Sequence, residues 1–204
     1  MVAIFDLDGT LVDSLLPITQ AINDVRNDLY GLKPLGKEKV RQALNLPEKE
    51  AGLLLYGTTG FEKEASALFE RLYKKRCAQG VPPFEGVEAM LRHLGQTGWR
   101  LYVATNAPGP AAETLLEQNG LARYFLDVVG ADAVLAPKPD PAMIFQVLAK
   151  EPGRRAVMIG DTHKDVKAAE RAGIKAVYAL WGYGEQSVKG FPKARYPLDV
   201  PALL

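Results

Sequence analysis

Two carboxylates stand two residues apart in the stretch Val2-Ala3-Ile4-Phe5-Asp6-Leu7-Asp8-Gly9-Thr10. An apolar run that stops at such a pair needs compensation nearby, because an unpaired charge held away from water is expensive. Three further apolar runs end in polar residues: Thr105-Asn106 after Arg100–Ala104, Lys138-Pro139 in the loop beyond Phe125–Val129, and Gly160-Asp161-Thr162-His163-Lys164-Asp165 after Ala156–Ile159. Each piece alone has a plain explanation. Asp8-Gly9 reads as a tight turn, Thr105-Asn106 as a helix cap, Lys138 as a solvated loop lysine, and Asp161 with Asp165 as charges favourable to a helix start. Four such pieces at successive strand ends point instead to one site.

The chemistry that suits this set is phosphoryl transfer. Converging carboxylates repel one another unless a hard cation with oxygen ligands sits among them, and Mg²⁺ is the natural occupant. Lys138 would help to neutralise a phosphate, and Thr105 and Asn106, with backbone N–H groups near a helix start, would hold its oxygens. Asp6 is placed to attack phosphorus, since carboxylates form acyl phosphates. Asp8 points the same way from an extended strand end, and suits protonation of the leaving oxygen and later deprotonation of water.

The elements that must bring these residues together follow from periodicity. Val2–Phe5 reads as a buried strand. From Ser14, expected as an N-cap, the pattern turns helical: Leu15, Ile18, Ile22, Val25 and Leu29 recur at steps of three and four, up to Gly31. Further helices are expected over 37–44, 47–56 and 61–80. Beyond Pro82-Pro83 strands and helices alternate, with strands at 100–104, 125–129, 156–159 and 175–180. This predicts an α/β fold, a doubly wound and mostly parallel sheet over 1–14 and 82–204, with an all-helical insert at 15–81. In open sheets of this kind ligands bind beyond the carboxyl ends of the strands, where the polar residues fall. The tail from Gly182 onward, rich in Gly, Pro and Tyr, carries no readable period.

Bulk properties narrow the class. The 204 residues are 48% hydrophobic and 24% charged, with 25 Lys and Arg against 24 Asp and Glu. That balance argues against nucleic acid as the main partner. No apolar run reaches transmembrane length, and the N-terminal residues do not read as a signal peptide, so no membrane partner is expected. The lone Cys77 excludes an intrachain disulfide, fits a cytoplasmic location and reads as a helix residue rather than a catalytic thiol.

The ordered set Asp6-x-Asp8-Gly9-Thr10, Thr105-Asn106, Lys138-Pro139 and Gly160-Asp161-x-x-x-Asp165 resembles the haloacid dehalogenase superfamily, and most closely its phosphoglycolate phosphatase-like branch. Asp13-Ser14, Ala168-Ala169, Ala172-Gly173 and Trp181-Gly182-Tyr183-Gly184 add to the likeness, which spans nearly the whole chain. The resemblance implies a Rossmann-like core, a helical cap at 15–81 that closes over the site and selects the substrate, and Mg²⁺. It implies Asp6 as nucleophile and metal ligand. Asp8 becomes the acid/base with its backbone carbonyl on the metal, Asp161 a further metal ligand, and Asp165 a ligand either directly or through water. Gly9, Thr105, Asn106 and Lys138 become phosphate-binding residues. The substrate is then a small phosphorylated metabolite, and the protein a monomer or homodimer. The eponymous dehalogenases lack an acid at the position of Asp8, which this chain has.

Other activities share parts of this pattern. A sugar phosphomutase of the β-phosphoglucomutase type uses a similar core and cap. A receiver domain accepts phosphate on Asp without releasing it, but the helical insert and the Asp6-x-Asp8 pair count against it. A catalytically silent scaffold is disfavoured by the intact Asp6, Asp8, Lys138 and Asp161. In the insert, Lys33, Lys37, Lys39 and Arg41 read as solvated helix charges, with Arg41 the one placed to reach an anionic substrate group. His93 and His163 read as polar helix positions.

Overall fold

The computed structural model describes residues 1–185 and 189–204, in two compact units. One comprises Met1–Asp13 and Pro82–Leu204, the other Ser14–Val81.

The first unit is built on a six-stranded sheet in the order β3-β2-β1-β4-β5-β6, with every pairing parallel. Strand β1 (Val2–Phe5) lies between β2 (Arg100–Ala104) and β4 (Ala156–Gly160), so Val2 faces both Arg100 and Ala156, and Phe5 both Val103 and Ile159. All four β1 residues are fully buried. That is the signature of a parallel strand covered on both faces, and it explains why β1 shows an unbroken apolar run instead of alternation. Strand order reverses at β1, which makes its carboxyl end the switch point of the sheet.

The helices of this unit are α5 (Val87–Gln96), α6 (Gly109–Gln118), α7 (Ala142–Lys150), α8 (His163–Ala172) and the terminal α9 (Val200–Leu203), numbered after the four helices of the other unit. Strand β3 (Asp127–Val129) is shorter than its pattern predicts, and Ala122–Tyr124 forms a 3₁₀ turn before it. As an edge strand, β3 pairs only with Tyr102–Ala104, and Phe125 instead packs edge-on against Phe5 with ring centroids 6.1 Å apart. Strand β5 (Lys175–Ala179) is flanked by β6, only Lys193–Ala194. Two residues are too few to show a period, which is why the tail was unreadable; residues 186–188 of it lie outside the described residues. At the edge of the sheet opposite the site, the buried Glu151 accepts hydrogen bonds from the Tyr102 hydroxyl and Arg100 Nε, and pairs with Arg154 Nε at 3.1 Å.

The second unit is all-helical: α1 (Leu15–Tyr30), α2 (Lys37–Leu44), α3 (Glu48–Tyr56) and α4 (Lys63–Cys77). Helix α1 buries Ile18, Ile22 and Val25 on the predicted face and packs mainly on α4. Ser14 occupies the N-cap position but makes no side-chain cap bond, since its backbone has left the extended region that aims the hydroxyl at the first turn. Arg26 is buried here because its guanidinium donates to the carbonyls of Lys33 and Leu55, which ties the α1–α2 loop to the end of α3. Cys77 is buried on α4. No helix of the described residues is long and apolar enough to cross a membrane.

Candidate active site

The carboxyl ends of four neighbouring strands carry the candidate residues. Asp6 follows β1, Thr105 follows β2 and Asp161 follows β4; Lys138 comes from the loop between β3 and α7. Asp165 belongs to the first turn of α8, directly after Asp161. Asp6, Thr105, Lys138, Asp161 and Asp165 are all buried, and one carboxylate oxygen from each of Asp6, Asp161 and Asp165 lies within 4.8 Å of the others.

The Lys138 ammonium is the cation at the centre of this group. Its Nζ donates to Asp6 Oδ1 at 2.7 Å and to Asp165 Oδ1 at 2.6 Å. The second oxygen of Asp165 accepts from the backbone N–H and the hydroxyl of Thr162, at 3.0 and 2.7 Å, in a capping box that starts α8. Asp165 thus links the helix start to Lys138. Asp161 is held at both oxygens: Thr10 Oγ1 donates to Oδ1 at 3.1 Å, and the Tyr183 N–H donates to Oδ2 at 2.6 Å.

These groups do not balance electrically. The buried carboxylates of Asp6, Asp161 and Asp165 gather at one place with one lysine, whose ammonium pairs with Asp6 and Asp165. Burial raises the Asp6 carboxyl from its ordinary 3.8 to about 7, with Lys138 opposing and Asp165 and Asp8 adding to the rise. Burial and the charges of Asp6 and Asp165 likewise hold Asp161 well above the carboxylate range. Burial alone would lower Lys138, but Asp165 and Asp6 outweigh it and keep the ammonium charged. An all-oxygen donor set with surplus negative charge fits a hard divalent cation.

Two candidates carry structural tasks that local pattern did not reveal. The Asn106 side chain makes a reciprocal pair with the backbone of Lys138: Nδ2 donates to the Lys138 carbonyl and Oδ1 accepts its N–H, both at 2.9 Å. Its amide therefore positions the lysine loop. Gly9, at φ +86°, donates its N–H to the Val12 carbonyl at 3.0 Å, so that donor is committed to the turn. A Cβ there would overlap the Asp161 carboxylate and the Tyr183 ring, so the residue is a glycine for space as well as for φ. Asn106→Ala is expected to cost about 1–2 kcal/mol of stability and to lower turnover about tenfold by loosening the Lys138 loop. Urea unfolding beside steady-state kinetics checks this, because a residue that touched only phosphate would leave the unfolding midpoint in place.

Thr105 Oγ1 accepts the Ala107 N–H at 3.1 Å, as a turn-forming hydroxyl does. His163 opens α8 and is held below its ordinary pKa by burial and by Lys167 and Lys164. His93 lies exposed on α5. Arg41, in the helical unit, faces Glu38 at 3.9 Å. Pattern reading assigned no task to Thr10, Trp181 and Tyr183. The signal was available, since Trp181-Gly-Tyr-Gly follows β5 at the same sheet edge as the other motifs.

Comparison with known proteins agrees with this arrangement. The family model for haloacid dehalogenase-like hydrolases matches residues 3–179. The phosphoglycolate phosphatase of Rhodospirillum rubrum is 36% identical over 200 residues, covering 91% of this chain and 81% of that protein. The phosphoglycolate phosphatase of Caulobacter vibrioides is 35% identical over 193 residues, with coverage of 91% and 81%. A solved haloacid dehalogenase-like family hydrolase of Streptococcus pneumoniae shares 25% identity and a TM-score of 0.82, over 98% of this chain and 96% of that one. In sequence, fold and site the chain belongs to the haloacid dehalogenase-like hydrolase family, among its phosphoric monoester hydrolases.

Proposed function

We propose that this hydrolase releases phosphate from a small anionic phosphomonoester, of which phosphoglycolate is the type, through an aspartyl-phosphate formed on Asp6 and with Mg²⁺ as cofactor. The observation that carries the reading is the buried group Asp6, Lys138, Asp161 and Asp165 at the switch point of the sheet. The relatives' activity supports the substrate class.

Asp6, Asp161 and Asp165 would hold the cation, with Asp8 contributing from the same loop. The bound ion would draw charge from the phosphoryl oxygens and let Asp6 stay ionised at neutral pH. Asp6 Oδ then attacks phosphorus, and the bond to the ester oxygen breaks. Asp8 gives its proton to that leaving oxygen, then takes one from the water that cleaves the acyl phosphate. Lys138, already bridging Asp6 and Asp165, lies within reach of a phosphoryl oxygen on Asp6 and offsets its charge. The Thr105 hydroxyl, with Ala107 N–H fixing its oxygen, donates to another phosphoryl oxygen. The helical unit Ser14–Val81 would act as the cap that selects the substrate. A cytoplasmic location and a monomeric or homodimeric state complete the reading.

The direct test is a screen of phosphorylated metabolites for phosphate release in Mg²⁺, with Asp6→Asn as the blank. Release from none of them, or equal release by the blank, sinks the proposal. A pH dependence follows as well. The folded pKa of Asp6 is raised, from 3.8 to about 7. Its contribution to stability is therefore present at acid pH and lost as pH rises through that window. The metal-free protein in EDTA should melt lower at pH 8 than at pH 5.5. Saturating Mg²⁺ should raise the midpoint by several degrees at pH 8 and by less at pH 5.5, where the ion must displace a proton. Thermal melts at the two pH values check this.

A further inference from the structure

The residues after β5 close a ring of hydrogen bonds on Asp161. Thr10 Oγ1 donates to Asp161 Oδ1 at 3.1 Å, and the Trp181 indole Nε1 donates to the Thr10 carbonyl at 3.0 Å. Two residues further on, the Tyr183 N–H returns to Asp161 Oδ2 at 2.6 Å. Both oxygens of one carboxylate are thereby oriented by a single circuit running through two separate loops. The packing leaves no slack in it. A Cβ on Gly182 would overlap the Gly9 carbonyl and the Asp161 side chain, and one on Gly184 would overlap the Asp161 carbonyl. The Tyr183 side chain extends the circuit: its hydroxyl lies 2.9 Å from Asp13 Oδ1 and 3.4 Å from the Val12 carbonyl, and its ring packs against Phe84. Val12 and Asp13 are themselves bonded to the returning chain, through the Val12–Pro83 bridge and the Asp13 N–H to the Pro82 carbonyl at 2.9 Å.

We infer that Trp181–Gly184 is a clasp that sets the orientation of Asp161 for the cation, with Tyr183 as its positioning residue and Asp13 as its anchor. None of these residues needs to touch the ion or the substrate. Groups that orient a ligating carboxylate commonly change metal affinity by 10- to 100-fold when removed. Here the donor from the clasp is the Tyr183 backbone N–H, which no side-chain truncation deletes and only proline would remove. What can be varied is the side-chain anchoring that keeps this N–H on Asp161. The inference rests on the metal reading of the site.

The test is Mg²⁺ titration of the metal-free protein by calorimetry, followed in parallel by tryptophan fluorescence, to which only Trp99 and Trp181 contribute. Tyr183→Phe keeps the ring and loses the bond to Asp13. It is expected to raise the Mg²⁺ dissociation constant about tenfold, with kcat restored at saturating Mg²⁺. Asp13→Ala, at an exposed side chain, should give the same loss from the other side, and the double variant should add little to either single one. Glu151→Gln, at the opposite edge of the sheet, is the control for mere destabilisation: it should lower the melting temperature and leave Mg²⁺ affinity alone.

Wild-type affinity, within twofold, in folded Tyr183→Phe overturns the inference. If Tyr183→Phe does not fold, wild-type affinity in Asp13→Ala does so in its place. A wild-type protein that binds no Mg²⁺ would instead strike down the metal reading itself, so the two failures are separable.

Discussion

Asp6→Asn is expected to lower phosphate release by at least about 10⁴-fold while leaving the metal-free fold at pH 8 no less stable than wild type. The first half follows from the covalent mechanism proposed above. The amide is nearly isosteric with the carboxylate, so the strand end keeps its shape, but the neutral amide is a far poorer nucleophile toward phosphorus. The second half follows from the crowding of charge. Asp6 is buried beside Asp165 and Asp8, and its pKa of about 7 shows that its ionised form is held in the fold against a penalty. Removing that charge relieves up to a few kcal/mol in EDTA at pH 8, offset in part by the loss of one partner for Lys138. Single-turnover assays and denaturant melts on the same preparation test both halves. A variant with wild-type turnover would remove Asp6 from the chemistry. A large loss of stability would mean that the Lys138 pair outweighs the repulsion.

Lys138→Met should behave in the opposite way for stability. Its ammonium pairs with both Asp6 and Asp165, and it is almost wholly inaccessible. Methionine fills a similar volume but leaves two buried carboxylates facing each other. Breaking a buried pair from one side typically costs about 3–5 kcal/mol. Part of that is recovered if a carboxylate takes up a proton, so the loss should be larger at pH 8 than at pH 5. Turnover should fall by at least about 10³-fold, because the charge opposite the phosphoryl oxygens is gone. Lys138→Arg keeps the charge yet is expected to recover little. The planar guanidinium is larger than the ammonium, and the site is built around a point charge 2.6 and 2.7 Å from its partners. Stability curves at the two pH values, with kinetics in saturating Mg²⁺, check this. An equal loss of stability at both would show that the carboxylates are not the source.

The pair of substitutions separates two roles that the same salt bridge combines. In the proposed mechanism Asp6 is costly to the metal-free fold and needed by the reaction, whereas Lys138 serves both. That contrast is expected where a site is assembled for charge stabilisation and the structure around it compensates.

Much of this was legible along the chain. Val2–Phe5 announced a fully buried strand, and the helix boundaries at Leu15 and Lys37 were legible in the sequence. Asp6, Thr105 and Asp161 stood out because local pattern alone puts each just past a strand, with Lys138 in the loop beyond the next one, and parallel topology sends all strand ends to one edge. Local periodicity, which depends on residues within a few positions of each other, is a one-dimensional property and survives in the sequence.

What only the tertiary structure decided is how the side chains divide the work. The partners of Lys138 are 132 and 27 positions away, and those of Asp161 lie 151 and 22 away. No spacing rule reaches across such separations. The Asn106 amide is turned onto the backbone of Lys138, 32 positions away, a contact no local pattern shows. Tyr183 lay in a tail without period, because its position comes from close packing of glycines against Gly9 and Asp161 and not from any repeat. The sequence by itself therefore determined the family, the sheet and the residue types at its edge. The fold decided which carboxylate each donor serves, since a hydrogen bond is set by distance and angle in space, and neither is encoded in neighbouring residues.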